Sequence, residues 1–274
     1  MPIRRLVDKA ATAAAITAGA ITTVAVASVL GPSATLAAPV SQAVPGVAAA
    51  ARAGILPPHH PSRSLSPRPN FLTVRACSTA KNGAYCDRQV LRATGRARSI
   101  LERMHGMSFS LTAYRKLGPV KQLFVTVNLE RVARGLAPAA MLTKSLNAIA
   151  QTGARNDDDP PLNKLPRQLP GGGRWIAAGG NWAGGWRNPL GSNYAWMYDD
   201  GPGWGHRDNI LGRFSNRSRC GGAAPHLAMG AGYVGSGKRF GDSETELLLG
   251  VCGHAPTDVV FRWTKAKRLL HVKF

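Results

Sequence analysis

The chain has 274 residues, of which 44% are hydrophobic, so it can bury the core of at least one domain. Lysine and arginine total 35 against 14 acidic residues, and the net charge of +21 favours contact with polyanions. The bases are scattered and no DNA- or RNA-binding motif accompanies them, so nucleic acid is not the expected partner. A basic surface that is only solvated is the alternative interpretation.

The N-terminus predicts an export signal. Three bases precede residue 10, residues 10–30 are apolar or small and uncharged, and small residues suitable for cleavage follow. We therefore expect residues 1–38 to be a signal peptide, whose removal takes away three bases and one acid and leaves a charge of +19. An uncleaved anchor is the alternative, because about 20 apolar residues can span a bilayer. Such a protein is secreted or associated with the cell envelope, where anionic wall polymers or lipids are available partners.

The four cysteines agree with export, because disulfides persist in oxidising compartments. Four cysteines allow three pairings. We favour Cys77–Cys86 and Cys220–Cys252, since each pair lies within one local unit. No CxxC spacing is present that would indicate a zinc ribbon or a thioredoxin-like redox site, and four reduced buried thiols are the alternative.

The first part of the exported chain predicts a linker followed by helices. Residues 39–70 are rich in Ala, Pro, Ser and Arg and predict a disordered linker. Residues 71–118 predict a helical extension, with its main helix from residue 87 to 104. From Val120 onward, apolar residues at i, i+3, i+4 and i+7 predict a helix that ends at Gly135.

The remaining segments predict an α+β fold. A helix is expected over residues 141–154, and the strands and turns follow it. They are a short strand at 175–178, a Gly- and Trp-rich loop at 179–186, a helical turn at 194–197, strands at 226–234 and 246–252 around a hairpin loop at 235–241, and a strand at 259–263. Ser243 and Glu244 are interpreted as ordinary turn residues, and residues 255–274 as a basic C-terminal tail.

Three segments carry a resemblance to a known family. Residues 127–138 are similar to the pattern N-x-E-R-x-x-x-G-L-x-P, residues 205–211 to G-H-R-x-N-I-L, and residues 229–233 to a strand with x-G-x-G. In this order and spacing they resemble the CAP superfamily (cysteine-rich secretory proteins, antigen 5 and pathogenesis-related proteins) in its bacterial SCP-like form. The resemblance implies a CAP-like α-β-α sandwich over residues 119–254, with the helical extension before it.

The sequence departs from the family pattern at the residues that form the usual cavity of these proteins. That cavity brings together two histidines and two acidic residues, in some members around a metal. His206 matches one histidine, but Gly180 stands where the family has the glutamate of G-E-N, and Asn156 to Asp159 stand where the other histidine is expected. No cofactor is therefore expected. A divalent metal held by His206 with an acid such as Asp158 is the weak alternative, because zinc needs three or four ligands.

The expected function is ligand binding rather than catalysis. The resemblance and the incomplete cavity predict a secreted domain of an actinobacterial-type cell envelope that binds a lipid, a wall polymer or a protein partner. One alternative is a protease-like hydrolase in which His206 and a nearby acid form a general-base pair. Another is a charge-driven binder of anionic wall polymers that does not use the cavity. No G-x-S-x-G or H-E-x-x-H motif is present to indicate a serine or zinc hydrolase.

The expected cavity residues surround the G-H-R-x-N-I-L segment and the Trp-rich loop before it. They are Asn181, Trp182, Trp204, His206, Arg207, Asp208 and Asn209. Five tryptophans lie between residues 175 and 204 and could line a groove for sugar or lipid, because their rings combine apolar faces with a polar edge. Trp175 and Trp196 are assigned to the core, and Trp186 is left open between the two roles. A purely structural role for His206 and Asn209 in ordering the turn is the alternative.

Overall fold

The computed structural model describes residues 60, 61, 65, 83–186, 188–201, 203–212, 214, 217–237 and 239–272. The predicted signal peptide, most of the predicted linker and Cys77 lie outside these residues. Within the part of the chain that is described, helices and one mixed sheet occur together, which confirms the α+β expectation.

Five strands form one sheet in the order β2-β4-β3-β1-β5. Their bounds are Met141–Thr143 (β1), Arg174–Gly184 (β2), His226–Gly237 (β3), Gly241–Cys252 (β4) and Val259–Arg262 (β5). β2, β3 and β4 pair antiparallel, β1 pairs parallel with β3, and β5 closes the sheet antiparallel to β1. β4 is an inner strand and is buried on both faces, which explains its nearly continuous apolar sequence from residue 247 to 251.

Seven α-helices accompany the sheet in the described residues. They are Gly83–Glu102 (α1), Leu111–Arg115 (α2), Pro119–Val132 (α3), Lys144–Asn156 (α4), Pro189–Tyr198 (α5), Gly205–Leu211 (α6) and Trp263–Leu270 (α7). α3 begins at a proline, which suits a first helical turn because proline lacks the backbone N–H that would find no intrahelical acceptor there. Gly135, with φ of 70°, turns the chain after α3 in the left-handed region.

Helices pack on both faces of the sheet. Met229 and Leu248 join the larger core, which includes α3 and α5, whereas Leu247 and Leu249 join a smaller core under α4. α4 lies so close to β3 that a Cβ at Gly230 would stand 2.4 Å from the α4 backbone. Because successive side chains of a strand point to opposite faces of the sheet, the same strands contribute side chains to two separate cores.

The segments at both ends of the described unit belong to the larger core. Val90 and Ala97 of α1 and Tyr114 of α2 are buried in the same cluster as the residues of α3. The segment 255–274, which the sequence predicted as a basic tail, forms β5 and α7 and buries Trp263 in that cluster. The helical extension is therefore packed on the sheet region rather than standing apart from it.

Three local expectations were wrong. Residues 141–143 form a strand, and α4 begins only at Lys144, where the Thr143 side chain accepts the Leu146 N–H at 3.3 Å as a cap. The Gly- and Trp-rich segment expected to be a loop continues β2 to Gly184. Ser243 and Glu244 are buried in β4 rather than placed in a turn.

Candidate functional site

Glu130 of α3, the glutamate of the N-x-E-R pattern, is buried at the centre of a polar network. Its carboxylate accepts hydrogen bonds from Arg98 at 3.1 Å, Arg134 at 2.6 Å, Asn193 at 3.0 Å and Tyr198 at 3.0 Å. Burial alone would raise the pKa of Glu130, but the two guanidinium groups lower it to about 2. This glutamate is therefore ionised, and it holds α1, α3 and α5 together.

Glu102 extends the same network to α6. Its carboxylate binds Arg134 and Arg207, and Arg207 also donates to the carbonyl oxygen of Met197 at 2.8 Å. The sequence assigned Arg207 to the cavity, but the structure buries its side chain in this ion-pair network. Three guanidinium groups here face two carboxylates, so the network carries one positive charge in excess.

Two other residues of the pattern form hydrogen bonds with the backbone of segments that follow α3 in the chain. Asn128 donates to the carbonyl oxygen of Ala139 at 3.1 Å and accepts its N–H at 2.7 Å. Arg131 donates to the carbonyl oxygens of Ala137 at 2.8 Å and Ile210 at 2.5 Å. The pattern is thus a set of buried structural contacts, and it positions the end of α6.

His206 of α6 faces an aspartate across the preceding turn. The backbone N–H of His206 donates to Asp200 Oδ2 at 2.9 Å, and its ring Nδ1 makes a short contact with Asp200 Oδ1. The His206 side chain is 44% exposed, whereas that of Asp200 is only 4% exposed. The hydrogen bond from Asp200 raises the pKa of His206 against the effect of burial, with further contributions from the charges of Asp200 and Asp159.

Asn181 and Asn209 link β2, α6 and β4 behind His206. Asn181 donates to the His206 carbonyl oxygen at 2.9 Å and to Glu246 Oε1 at 2.7 Å. Asn209 donates to the Gly180 carbonyl oxygen at 2.8 Å and to Asn181 Oδ1 at 2.9 Å. Burial raises the pKa of Glu246 to about 8, so this carboxyl is mostly protonated at neutral pH. Both asparagines therefore fix the position of His206 and do not line open space.

A cavity of about 390 Å³ opens beside His206, and we call it the His206 cavity. Aromatic and polar side chains line it together. The aromatic ones are Trp182, Trp186, Trp196 and Phe240, and the polar ones are Asp199, Asp200 and His206. The Trp182 and Phe240 rings lie 5.4 Å apart, and Trp182 is held by a 2.8 Å hydrogen bond to Ser243. Burial raises the pKa of Asp199 to about 6.

The remaining predicted residues lie outside the cavity. Asp208 is exposed and contacts His60 at 2.7 Å, which brings this residue of the predicted linker onto α6. Trp204 is buried with its ring 5.7 Å from the Arg207 guanidinium. Trp196 is buried, as expected, but it also lines the cavity, whereas Trp175 is half-buried and does not line it. Of the predicted set, His206 and Trp182 line the cavity.

Sequence reasoning did not find the aromatic residue at the tip of the β3–β4 hairpin. Phe240 is 51% exposed and reaches the cavity from strands that lie far from α6 in sequence. Sequence reasoning also did not assign Asp199 and Asp200 to the cavity. Their position one short glycine turn before His206 was the available signal for a direct contact.

The described residues contain no group of three or more His, Cys, Asp or Glu side chains placed to hold a metal ion. Asp158, named as a weak ligand, is exposed and accepts the N–H of Asp159 at 2.8 Å. A metal at His206 therefore gains no support from this geometry.

The disulfide between Cys220 and Cys252 is present and confirms that predicted pair. It joins the short 3-10 turn Arg217–Cys220 to the end of β4, with the two Cα atoms 5.2 Å apart. The other predicted pair involves Cys77, which lies outside the described residues. Among the residues described, no helix has the length and apolar character needed to cross a bilayer.

Comparisons with protein-family models, with curated proteins and with solved structures found no match to this chain.

Proposed function

We propose that this chain is an exported CAP-like domain that binds a hydroxylated, sugar-like part of a cell-envelope polymer in the His206 cavity. The observation that carries this proposal is the cavity itself, which is lined by aromatic rings together with two aspartates and a half-exposed histidine. Aromatic faces pack against the apolar faces of sugar rings, and carboxylates accept hydrogen bonds from hydroxyl groups. The volume of about 390 Å³ suits a small ligand.

The placement of the family-like segments supports the CAP part of the proposal. The N-x-E-R pattern lies on α3, the G-H-R-x-N-I-L segment forms α6, and the x-G-x-G pattern lies on β3, where glycines admit α4. Helices on both faces of the sheet are what an α-β-α sandwich requires. The pieces of the resemblance also contact one another, because Arg131 of α3 donates to the carbonyl oxygen of Ile210 in α6 and to that of Gly212 just after it.

Binding is preferred to catalysis because the described lining of the cavity offers no hydroxyl or thiol nucleophile. None of the described lining residues is a serine, threonine or cysteine. The net charge of +19 expected after export would bring the protein to anionic envelope polymers, since long-range attraction raises the encounter rate. The positive charge then attracts the protein to the polymer, and the cavity determines which part of the polymer is bound.

A hydrolase is the second candidate, and the contact between His206 and Asp200 favours it. A carboxylate on one ring nitrogen orients the imidazole and leaves the other nitrogen able to take a proton from water. This candidate predicts turnover of an envelope substrate that is lost in His206→Ala. A substrate panel without turnover would remove its support.

The test is co-sedimentation of the exported form with purified sacculi, and separately with anionic lipid vesicles, at low and high salt. We expect binding to sacculi that persists at high salt and is lost in His206→Ala and Trp182→Ala. His226→Ala is the matched control, because this histidine is exposed at the start of β3. Binding that disappears with salt and ignores these substitutions would instead show a charge-driven binder that does not use the cavity.

A further inference from the structure

The His206 cavity contains a carboxylate without a positive partner. Asp199 is the C-cap residue of α5 and lines the cavity half-buried. Among the described residues, no lysine, arginine or histidine forms an ion pair with Asp199. Burial raises the pKa of Asp199 to about 6, so this carboxyl is mostly ionised at pH 7 although it has lost part of its water. A positive group on a ligand would compensate for that loss.

The other charged groups of the cavity leave this negative charge uncancelled. Asp200 is bound to His206, and the pair is neutral when the imidazole is protonated and negative when it is not. Together with Asp199, the three side chains therefore carry at least one negative charge at neutral pH. The whole chain carries +21, but exposed charges more than about 8 Å apart are largely screened at physiological ionic strength. The cavity is thus a locally acidic site in a basic protein.

The aromatic rings of the cavity add a second attraction for a cation. The Trp182 and Phe240 rings lie 5.4 Å apart, and Trp186 lines the same cavity. Trp196 also lines it and lies about one helical turn before Asp199, which places a ring beside the carboxylate. The face of an aromatic ring attracts an ammonium group, most strongly when that group is partly removed from water. The same faces pack against the apolar face of a sugar ring.

We propose that the His206 cavity selects an amino sugar, whose protonated amino group pairs with Asp199 while its ring packs against Trp182 and Phe240. This inference rests on the proposed function, because it names the kind of sugar that the cavity takes. A sugar hydroxyl can donate to the same carboxylate, but a charged donor forms the stronger hydrogen bond. Acetylation of the amino group removes its charge, so the cavity distinguishes free amino sugars from N-acetylated ones.

The experiment is an NMR titration of the full chain carrying labelled tryptophan side chains, at pH 7, where the amino group of glucosamine is mostly protonated. The probes are glucosamine, N-acetylglucosamine and glucose. Glucosamine should shift the indole signals of Trp182 and Trp186 and leave those of Trp175 and Trp263, which do not line the cavity, unchanged. The other two sugars should bind at least about tenfold more weakly, because neither forms the ion pair.

Two matched substitutions test the position of the amino group. Asp199→Asn keeps the shape of the side chain but removes its charge, so it should weaken glucosamine binding by about tenfold and make it equal to glucose binding. Asp208→Asn removes the same charge from an exposed side chain of α6 that does not line the cavity, and it should leave the affinity unchanged. A preference for glucosamine that persists in Asp199→Asn would overturn the proposal.

The same titration separates this inference from the proposed function. Equal affinity of the wild type for glucosamine and glucose would overturn the amino-sugar inference and leave sugar binding in the cavity standing. No shift of Trp182 and Trp186 with any of the three sugars would overturn both. Ethanolamine carries the ammonium group without the sugar ring, and an affinity as high as that of glucosamine would show that the cavity takes an amine rather than an amino sugar.

Discussion

Replacing Glu130 by glutamine should destabilise the protein by an amount that depends on pH. The pKa of Glu130 falls from 4.5 to about 2 in the folded protein, because two arginines outweigh the effect of its burial. Glutamine has the shape of a protonated glutamate, so the variant loses the stability that ionisation contributes. That contribution is about 3 kcal/mol at pH 7.

The sign of the pH dependence follows from the lowered pKa. The contribution of Glu130 is present above the unfolded-state value of 4.5 and is lost as the pH falls toward 2. The deficit of Glu130→Gln should therefore shrink from about 3 kcal/mol at pH 7 to about 1 kcal/mol at pH 3. Urea unfolding followed by circular dichroism at several pH values between 3 and 8 measures it.

Glu244→Gln is the matched control, because Glu244 is also fully buried but its pKa moves the other way. Burial raises the pKa of Glu244 to about 8, and the neighbouring Ser192 lowers this pKa only in part. The Ser192 hydroxyl makes no hydrogen bond of normal geometry with the Glu244 carboxyl. The stability cost of ionisation appears as the pH rises from 4.5 through 8, so the stability advantage of Glu244→Gln over wild type should grow by about 2–3 kcal/mol from pH 5 to pH 7.

Equal behaviour of the two variants would refute this reasoning. If Glu130→Gln is as stable as wild type at pH 7, the arginines do not stabilise its charge. If its deficit does not change between pH 7 and 3, the loss comes from packing and not from ionisation. Either result would remove the argument that the N-x-E-R segment acts through a buried ion-pair network.

Three further outcomes are expected. Asp200→Asn should lower the pKa of His206, measured by NMR titration of its ring protons, and an unchanged titration would rule out their hydrogen bond. Cys220→Ser with Cys252→Ser should lower the free energy of unfolding by about 3–4 kcal/mol, measured against the oxidised protein in urea, because the bridge spans 32 positions. Gly230→Ala should cost more than about 3 kcal/mol in the same assay, because its Cβ would overlap the α4 backbone; normal stability would contradict that packing.

Periodic and local features could be predicted from the sequence. The apolar spacing from Val120 onward predicted α3, and the local position of Cys220 and Cys252 predicted their bridge. Both depend on residues that are near one another in the chain or repeat at the helical period. The α+β class followed from the same kind of pattern.

Features that depend on distant contacts could not be predicted. Glu102 and Arg207 are 105 positions apart, and no local pattern shows that an arginine beside His206 pairs with a glutamate of α1. The glycines of β2 were interpreted as a loop because glycine is disfavoured in strands. In the structure a Cβ at Gly179 would stand 2.7 Å from Asn209 Oδ1, so tertiary packing overrides that preference.

The hydrogen bond from Asn209 to the Gly180 carbonyl oxygen also bears on self-association. β2 is an outer strand of the sheet, and the unpaired edge of such a strand can recruit a strand from another copy of the chain. The Asn209 side chain donates a hydrogen bond to the carbonyl oxygen of Gly180, and the Arg219 side chain donates one to that of Ile176 at 2.9 Å. The segment that positions His206 thereby also occupies part of this edge, so we expect the loss of Asn209 to favour edge-to-edge pairing as well as to disturb the cavity.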